Sequence, residues 1–172
     1  MGIKIRILRV VLAVSMLIAL SSSQSFYKLY KHDGKSNAKC LDGSPSALYI
    51  SEGTSGKILI YFEGGGMCSG MTLADTLENC YQRSKTSFGS SKSYLPAMDF
   101  HSFTVLSNDK TINPLYHNWT KVFVPYCDGV LHQGTRASAI DYKGVQLYIK
   151  GMDNTQAHFE YLNQTYHLYS AS

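Results

Sequence analysis

The chain has 172 residues, 44% of them hydrophobic and 16% charged, with a formal net charge of +4 and four cysteines. That is enough sequence for one ordinary domain with a sizeable core, and the aromatic content argues against disorder. Lys4, Arg6 and Arg9 supply three of those net positive charges, so the rest is nearly neutral, lacks the basic stripe a nucleic-acid binder needs, and excludes that class.

Residues 1–23 read as a signal peptide: the basic start is followed by an apolar run from Val10 to Leu20 and by Ser21, Ser22 and Ser23 as a small-residue cleavage region. The run is shorter than the roughly 20 apolar residues of a membrane span, and no later stretch approaches that length. Residues 24–172 are therefore expected outside the cell or in the lumen of the secretory pathway, with no membrane span.

Cys40-Leu-Asp-Gly-Ser-Pro is a cluster of turn formers. Ala47 to Glu52 and Lys57 to Glu63 flank Gly53-Thr54-Ser55-Gly56 and read as two strands of an antiparallel hairpin. The second contains Ile58-Leu-Ile-Tyr-Phe62, a continuous apolar run expected of an inner strand covered on both faces. Gly64, Gly65 and Gly66 follow at once. Without Cβ atoms, backbone there can turn its N–H groups toward a common point, as an anion or oxyanion cradle requires. The bland alternative is a tight turn, but the ends of strands are where open α/β sheets hold ligands. A phosphate loop is excluded, since Ser51 to Ile58 lacks its first glycine and the Ser or Thr after lysine.

Leu73, Ala74, Leu77, Cys80 and Tyr81 share one helical face, with Thr72 and Asp75 spaced to cap its start. Residues 82–118 are polar, aromatic and irregular, with turns at Gly89-Ser-Ser-Lys92 and Asn113-Pro114. Lys121 to Tyr126 reads as a second inner strand, and the Asp128-Gly129 after it is a turn former before it is an acid. Val145 to Ile149 is a weaker strand, and a helix is expected to start near Asp153, with Ala157, Tyr161 and Leu162 buried. The sheet is expected to open antiparallel and to become parallel.

Four cysteines in a secreted chain imply disulfides, of which three pairings exist. The expected one joins Cys68 to Cys80 beside the glycines and Cys40 to Cys127 across the sequence. No two cysteines have the close spacing of a structural zinc site, and no metal is implied. Asn118-Trp-Thr and Asn163-Gln-Thr are glycosylation sequons. The histidines at 32, 101, 117, 132, 158 and 167 are expected at the surface or in loops, and Ser36-x-x-Lys39 and Ser107-x-x-Lys110 match a Ser-Lys pattern short enough to arise by chance.

Four blocks in order, Cys40 to Pro45, Ile60 to Cys68, Gly89 to Lys92, and Asn113-Pro114 through Trp119 to Val124-Pro-Tyr-Cys-Asp-Gly129, resemble the pectin acetylesterase and Notum family of secreted serine carboxylesterases. The resemblance covers residues 24–172 and only the amino-terminal part of a full member. It implies an α/β-hydrolase-like mixed sheet with flanking helices, truncated before the strand that carries the nucleophile. It also implies hydrolysis of acyl esters, acetyl among them, on a carbohydrate or related acylated substrate, with backbone N–H groups of Gly65 and Gly66 in the oxyanion hole and no cofactor. Plant and bacterial members usually carry Trp where Met67 stands, which softens the pocket wall here. No Gly-x-Ser-x-Gly occurs, so the Ser, Asp and His of the family are expected beyond Ser172 and no catalytic residue among these positions. A sheet cut there leaves open backbone groups, so the isolated chain is expected to be marginally stable. A non-catalytic secreted module that binds glycan or a partner is the alternative.

Overall fold

The computed structural model describes residues 26–33 and 37–170; the expected signal peptide lies outside them. Five strands form one sheet: β1 (Tyr27–Lys31), β2 (Ala47–Ser51), β3 (Ile58–Phe62), β4 (Ala97–Met98) and β5 (Thr120–Val124), in the order β3-β5-β2-β1-β4. The pairing of β3 with β5 is parallel and the others are antiparallel. A separate hairpin joins β6 (Ile140–Tyr142) to β7 (Val145–Leu147). Two helices, α1 (Leu73–Arg83) and α2 (Gly151–Tyr166), flank the sheet.

The expected hairpin between Ala47–Glu52 and Lys57–Glu63 does not form. Instead β5 lies between β2 and β3, antiparallel to one and parallel to the other. The connecting Gly53–Gly56 segment passes across the start of β5, where the N–H groups of Thr54 and Ser55 donate to the Asn118 carbonyl (2.8 and 3.1 Å). Burial explains the exchange of places. All five residues of β5 are buried, whereas all five of β3 are only half-buried. The inner position thus belongs to β5, and β3 is at the sheet's edge among the described residues, which corrects the reading of β3 as an inner strand.

Alternation along the strands sends side chains to two cores. Tyr27, Tyr49, Phe100, Leu106 and Phe123 fill one face, while Leu48, Ile50, Val122 and Val124 pack with Leu162 of α2 on the other. Lys121 is fully buried among them. Its ammonium donates to Asn108 Oδ1 (2.6 Å) and to the carbonyls of His117 (2.9 Å) and Trp119 (3.2 Å), and burial pulls its pKa down to about 8.

Helix α1 starts as expected. Thr72 Oγ1 accepts the Asp75 N–H (3.2 Å) and Asp75 Oδ2 accepts the Thr72 N–H (3.0 Å), a reciprocal cap. Its first turn is not buried, however: Leu73 and Ala74 face solvent, and only Leu77, Cys80 and Tyr81 join the third cluster, with Leu41, Cys68 and Leu147. Helix α2 begins two residues before Asp153, capped by no side chain. Leu162 is buried as expected, but Ala157 and Tyr161 are half-buried and the polar Asn154 and His158 take the innermost places. The short strand predicted over Val145–Ile149 runs from Val145 to Leu147, turned back on β6 at Lys143 and Gly144, both with positive φ.

Candidate active site

Because β3 and β5 are parallel, their C-terminal ends put Glu63-Gly-Gly-Gly-Met-Cys68 beside Tyr126-Cys-Asp-Gly129. The two segments are cross-linked by backbone and side chain. Glu63 N–H donates to the Val124 carbonyl (2.9 Å), Tyr126 N–H donates to Glu63 Oε2 (2.9 Å), and Cys68 N–H donates to the Gly129 carbonyl (2.8 Å). His132 Nε2 lies 2.9 Å from the Glu63 carbonyl, which can only accept, so that nitrogen carries the proton. Burial raises the Glu63 carboxyl, opposed by the Tyr126 N–H and by His132.

Asp128 behaves as the turn former expected of it. Its Oδ1 accepts the N–H groups of Val130 (2.8 Å) and His132 (3.2 Å), and its Oδ2 lies 3.3 Å from His132 Nδ1. Leu131 and His132 both hold φ +59, which side-chain-bearing residues adopt only under constraint. Asp128 and the Tyr126 hydroxyl, which accepts the Leu131 N–H (3.0 Å), supply it.

Both expected disulfides are present. Cys68–Cys80 ties the glycine loop to α1, and Cys40–Cys127 ties the turn before β2 to the end of β5. The two glycines singled out are needed for different reasons. A Cβ on Gly65 would lie 2.3 Å from Tyr126 Cδ1, and Gly66 has φ +68. Gly64, Gly65 and Gly66 are exposed, and among the described residues their N–H groups have no protein acceptor. Arg83 points its guanidinium toward Gly66, Phe88 approaches Gly65, and Met67 is half exposed. The segment is thus an exposed run of free donors, fixed at both ends, at the mouth of two parallel strands.

Four of the six histidines are not exposed. His117 and His132 are half-buried, the latter in the network above, and His32 and His158 are buried together. His158 Nδ1 is 2.9 Å from His32 Nε2, and its Nε2 is 3.2 Å from Ser46 Oγ. The Ser46–His158 contact looks like half of a triad, yet Ser46 is buried and a second histidine stands where a carboxylate would orient the base. Burial lowers the pKa of both imidazoles. Likewise the Asp128–His132 pair has its Nε2 committed to a carbonyl. Ser107 is buried, its hydroxyl accepting the Asp109 N–H (3.1 Å), and Lys110 is exposed; Ser36 lies outside the described residues. Asn118 is exposed, whereas Asn163 is half-buried and its amide oxygen accepts the Tyr169 N–H (3.2 Å). Sequence reasoning missed Glu63, Tyr126, His132 and Arg83, although Glu63 and Tyr126 each adjoin a motif that it singled out.

A mixed sheet with helices on its flanks and a glycine turn at the end of a parallel strand is an α/β-hydrolase architecture. The Wnt deacylase Notum from Drosophila has the same fold, with a TM-score of 0.67 at 21% identity over 81% of this chain and 38% of that one. The pectinacetylesterase family profile matches residues 20–172, and the chain belongs to that family. It is 37% identical over 117 residues to pectin acetylesterase 5 of Arabidopsis thaliana, covering 66% of this chain and 25% of that protein. It is also 30% identical over 112 residues to the inactive palmitoleoyl-protein carboxylesterase notum1b of Danio rerio, covering 64% of this chain and 76% of the relative. The chain therefore spans about a quarter of the length of the Arabidopsis relative.

Proposed function

We propose that these residues are the amino-terminal part of a secreted carboxylic-ester hydrolase acting on acyl groups, acetyl foremost, of a carbohydrate or related substrate. In this reading they supply the oxyanion hole, and the Ser, His and Asp of the triad come from sequence beyond Ser172. The observation that carries it is the exposed Gly65–Gly66 backbone, its N–H groups unclaimed by protein and its ends held by the Cys68–Cys80 bridge and by β5. Donors fixed in advance stabilise a developing oxyanion without reorganising during the reaction, which is why rigidity at this loop matters. No metal or organic cofactor enters such chemistry. The two disulfides suit an oxidising compartment, and the sequons at Asn118 and Asn163 suit glycosylation there, Asn118 being the more accessible.

The likeness to a relative named as inactive, most of whose length this chain spans, favours a second reading. Here the family scaffold is kept as a non-catalytic secreted module that binds glycan or a partner. Sequencing the transcript past the codon for Ser172 separates the two. A downstream Gly-x-Ser-x-Gly with later Asp and His supports the hydrolase, and in that longer protein Gly65→Ala, whose Cβ would meet Tyr126 and displace the N–H groups, should lower kcat on p-nitrophenyl acetate. A stop at Ser172, or an unchanged kcat, rejects it. Turnover by the purified 172-residue chain would instead show that the nucleophile lies within these residues.

A further inference from the structure

The sheet has a second functional end. Since β2 runs antiparallel to β5, the end of β2 lies beside the starts of β3 and β5, about 15 Å, one five-residue strand, from the glycine loop. There, between the start of β1 and the C-terminal half of α2, a groove of about 570 Å³ is lined by Phe26, Lys28, Tyr30, Glu52, Tyr161 and Tyr166 among others. Its size falls within the roughly 300–1,000 Å³ of small-ligand sites, which combine aromatic walls with a few polar groups.

We propose that this groove binds a neutral glycan, with a pyranose ring lying against its tyrosines. A sugar ring presents apolar C–H faces and a rim of hydroxyls that both donate and accept. It therefore needs a flat aromatic surface together with at least one donor and one acceptor. Tyr30 and Tyr161 stack face to face at 3.8 Å between centroids and 17° between planes, which covers one face of each and holds them rigid in the groove wall, and Phe26 adds a half-exposed ring as a flat aromatic surface. Tyr166 Oη donates to Glu52 Oε1 (3.3 Å), leaving the exposed carboxylate able to accept further bonds. Burial and Glu52 push the Tyr166 phenol up to about 12, so its proton stays in the bond to Glu52 at every physiological pH and its oxygen is left to accept. Lys28, exposed on the neighbouring strand, is the donor.

Other occupants fit less well. A quaternary ammonium needs rings set around the charge, whereas Tyr30 and Tyr161 are stacked on one another and Lys28 repels a cation. An anionic polymer or a nucleic-acid strand needs a basic track, but Lys28 is balanced by Glu52. A purely apolar ligand would strip water from both charges without replacing it. The site stands apart from the glycine loop, so it holds whether or not the chain takes part in ester hydrolysis. In a protein acting on a polymer it would anchor one stretch of chain while another reaches the loop, raising local concentration.

The test is calorimetric and NMR titration of the purified protein with cellohexaose. Saturable binding is expected, with amide shifts confined to β1, the end of β2 and the last turns of α2. Glu52→Gln and Tyr166→Leu should each weaken it about tenfold or more. Glu52 is exposed, so the first variant is expected to fold, and its far-UV circular dichroism checks this. No saturable binding, binding unchanged in both variants, or tighter binding of tetramethylammonium or hexagalacturonate than of cellohexaose would overturn the proposal.

Discussion

The Cys68–Cys80 bridge is expected to contribute less to global stability than Cys40–Cys127 and more to the glycine loop. In the chain-entropy account, closing a loop of n residues removes −2.1 − 1.5R ln n cal/mol/K from the unfolded chain. For the separation of 12 residues between Cys68 and Cys80 this gives about 3 kcal/mol at 25 °C, and for the 87 between Cys40 and Cys127 about 4.6 kcal/mol. Replacing both members of each pair by serine and measuring urea unfolding should therefore place the Cys40/Cys127 variant below the Cys68/Cys80 variant by about 1–2 kcal/mol. Local order should run the other way. Without the bridge to α1, the hydrogen bonds of the segment after Gly66 to the end of β5 reduce, among the described residues, to that of the Cys68 N–H to Gly129, so backbone 15N order parameters at Gly64, Gly65 and Gly66 should fall in the Cys68/Cys80 variant and change little in the other. If the Cys68/Cys80 variant is the less stable, or if the order parameters of the three glycines ignore its loss, the bridge does not hold the loop in place and the preorganisation argument fails.

Lys121 predicts an alkaline gain in stability. Its pKa is about 8 in the folded chain and near 10.5 when unfolded, so the unfolded state binds more protons between those values and stability rises with pH. From pH 7 to 9 the rise should be about 1 kcal/mol by urea unfolding, and Lys121→Met, though less stable because three acceptors lose their donor, should lack it; an equal rise in the variant assigns it to other groups. The His32–His158 pair predicts an acid loss. Burial lowers both pKa values, so below the unfolded value near 6.5 the unfolded chain takes up protons first and stability falls as pH drops. Stability should fall between pH 7 and 5, and His158→Gln, which keeps a donor and an acceptor, should flatten the profile; the same slope in the variant would place the effect on carboxylates.

What was legible in the sequence was local or covalent. The cap of Thr72 on Asp75 spans three residues, the glycine run abuts its strand, and four cysteines have few ways to pair. What was not legible depends on contacts between distant residues. Nothing in Gly53-Thr-Ser-Gly56 tells that a strand from residue 120 will enter between its neighbours, because a short turn looks the same whether it closes a hairpin or bridges a gap. The burial that decides the order comes from both faces of β5, which only the assembled sheet creates. His32 and His158 are 126 residues apart, and Glu63 reaches Tyr126 across 63. A lone polar residue in sequence carries no mark of the partner that will make its burial tolerable.

The same distinction separates the cradle from the chemistry. Every tie to the glycine loop comes from residues between Glu63 and His132: the bridge to Cys80, the Gly129 carbonyl, the Tyr126 ring and the His132 imidazole. An oxyanion hole is built from backbone, so its geometry can be complete without the nucleophile it would serve. A nucleophile and its base cannot be assembled in this way, since each must be oriented by the other. Among the described residues the two arrangements nearest to a triad are already committed, Ser46–His158 to the buried His32 and Asp128–His132 to the Glu63 carbonyl. Their roles are structural, and one of them steadies the loop itself. This end of the sheet is therefore held together without catalytic groups, which allows the rigidity of the glycine loop to be tested on its own.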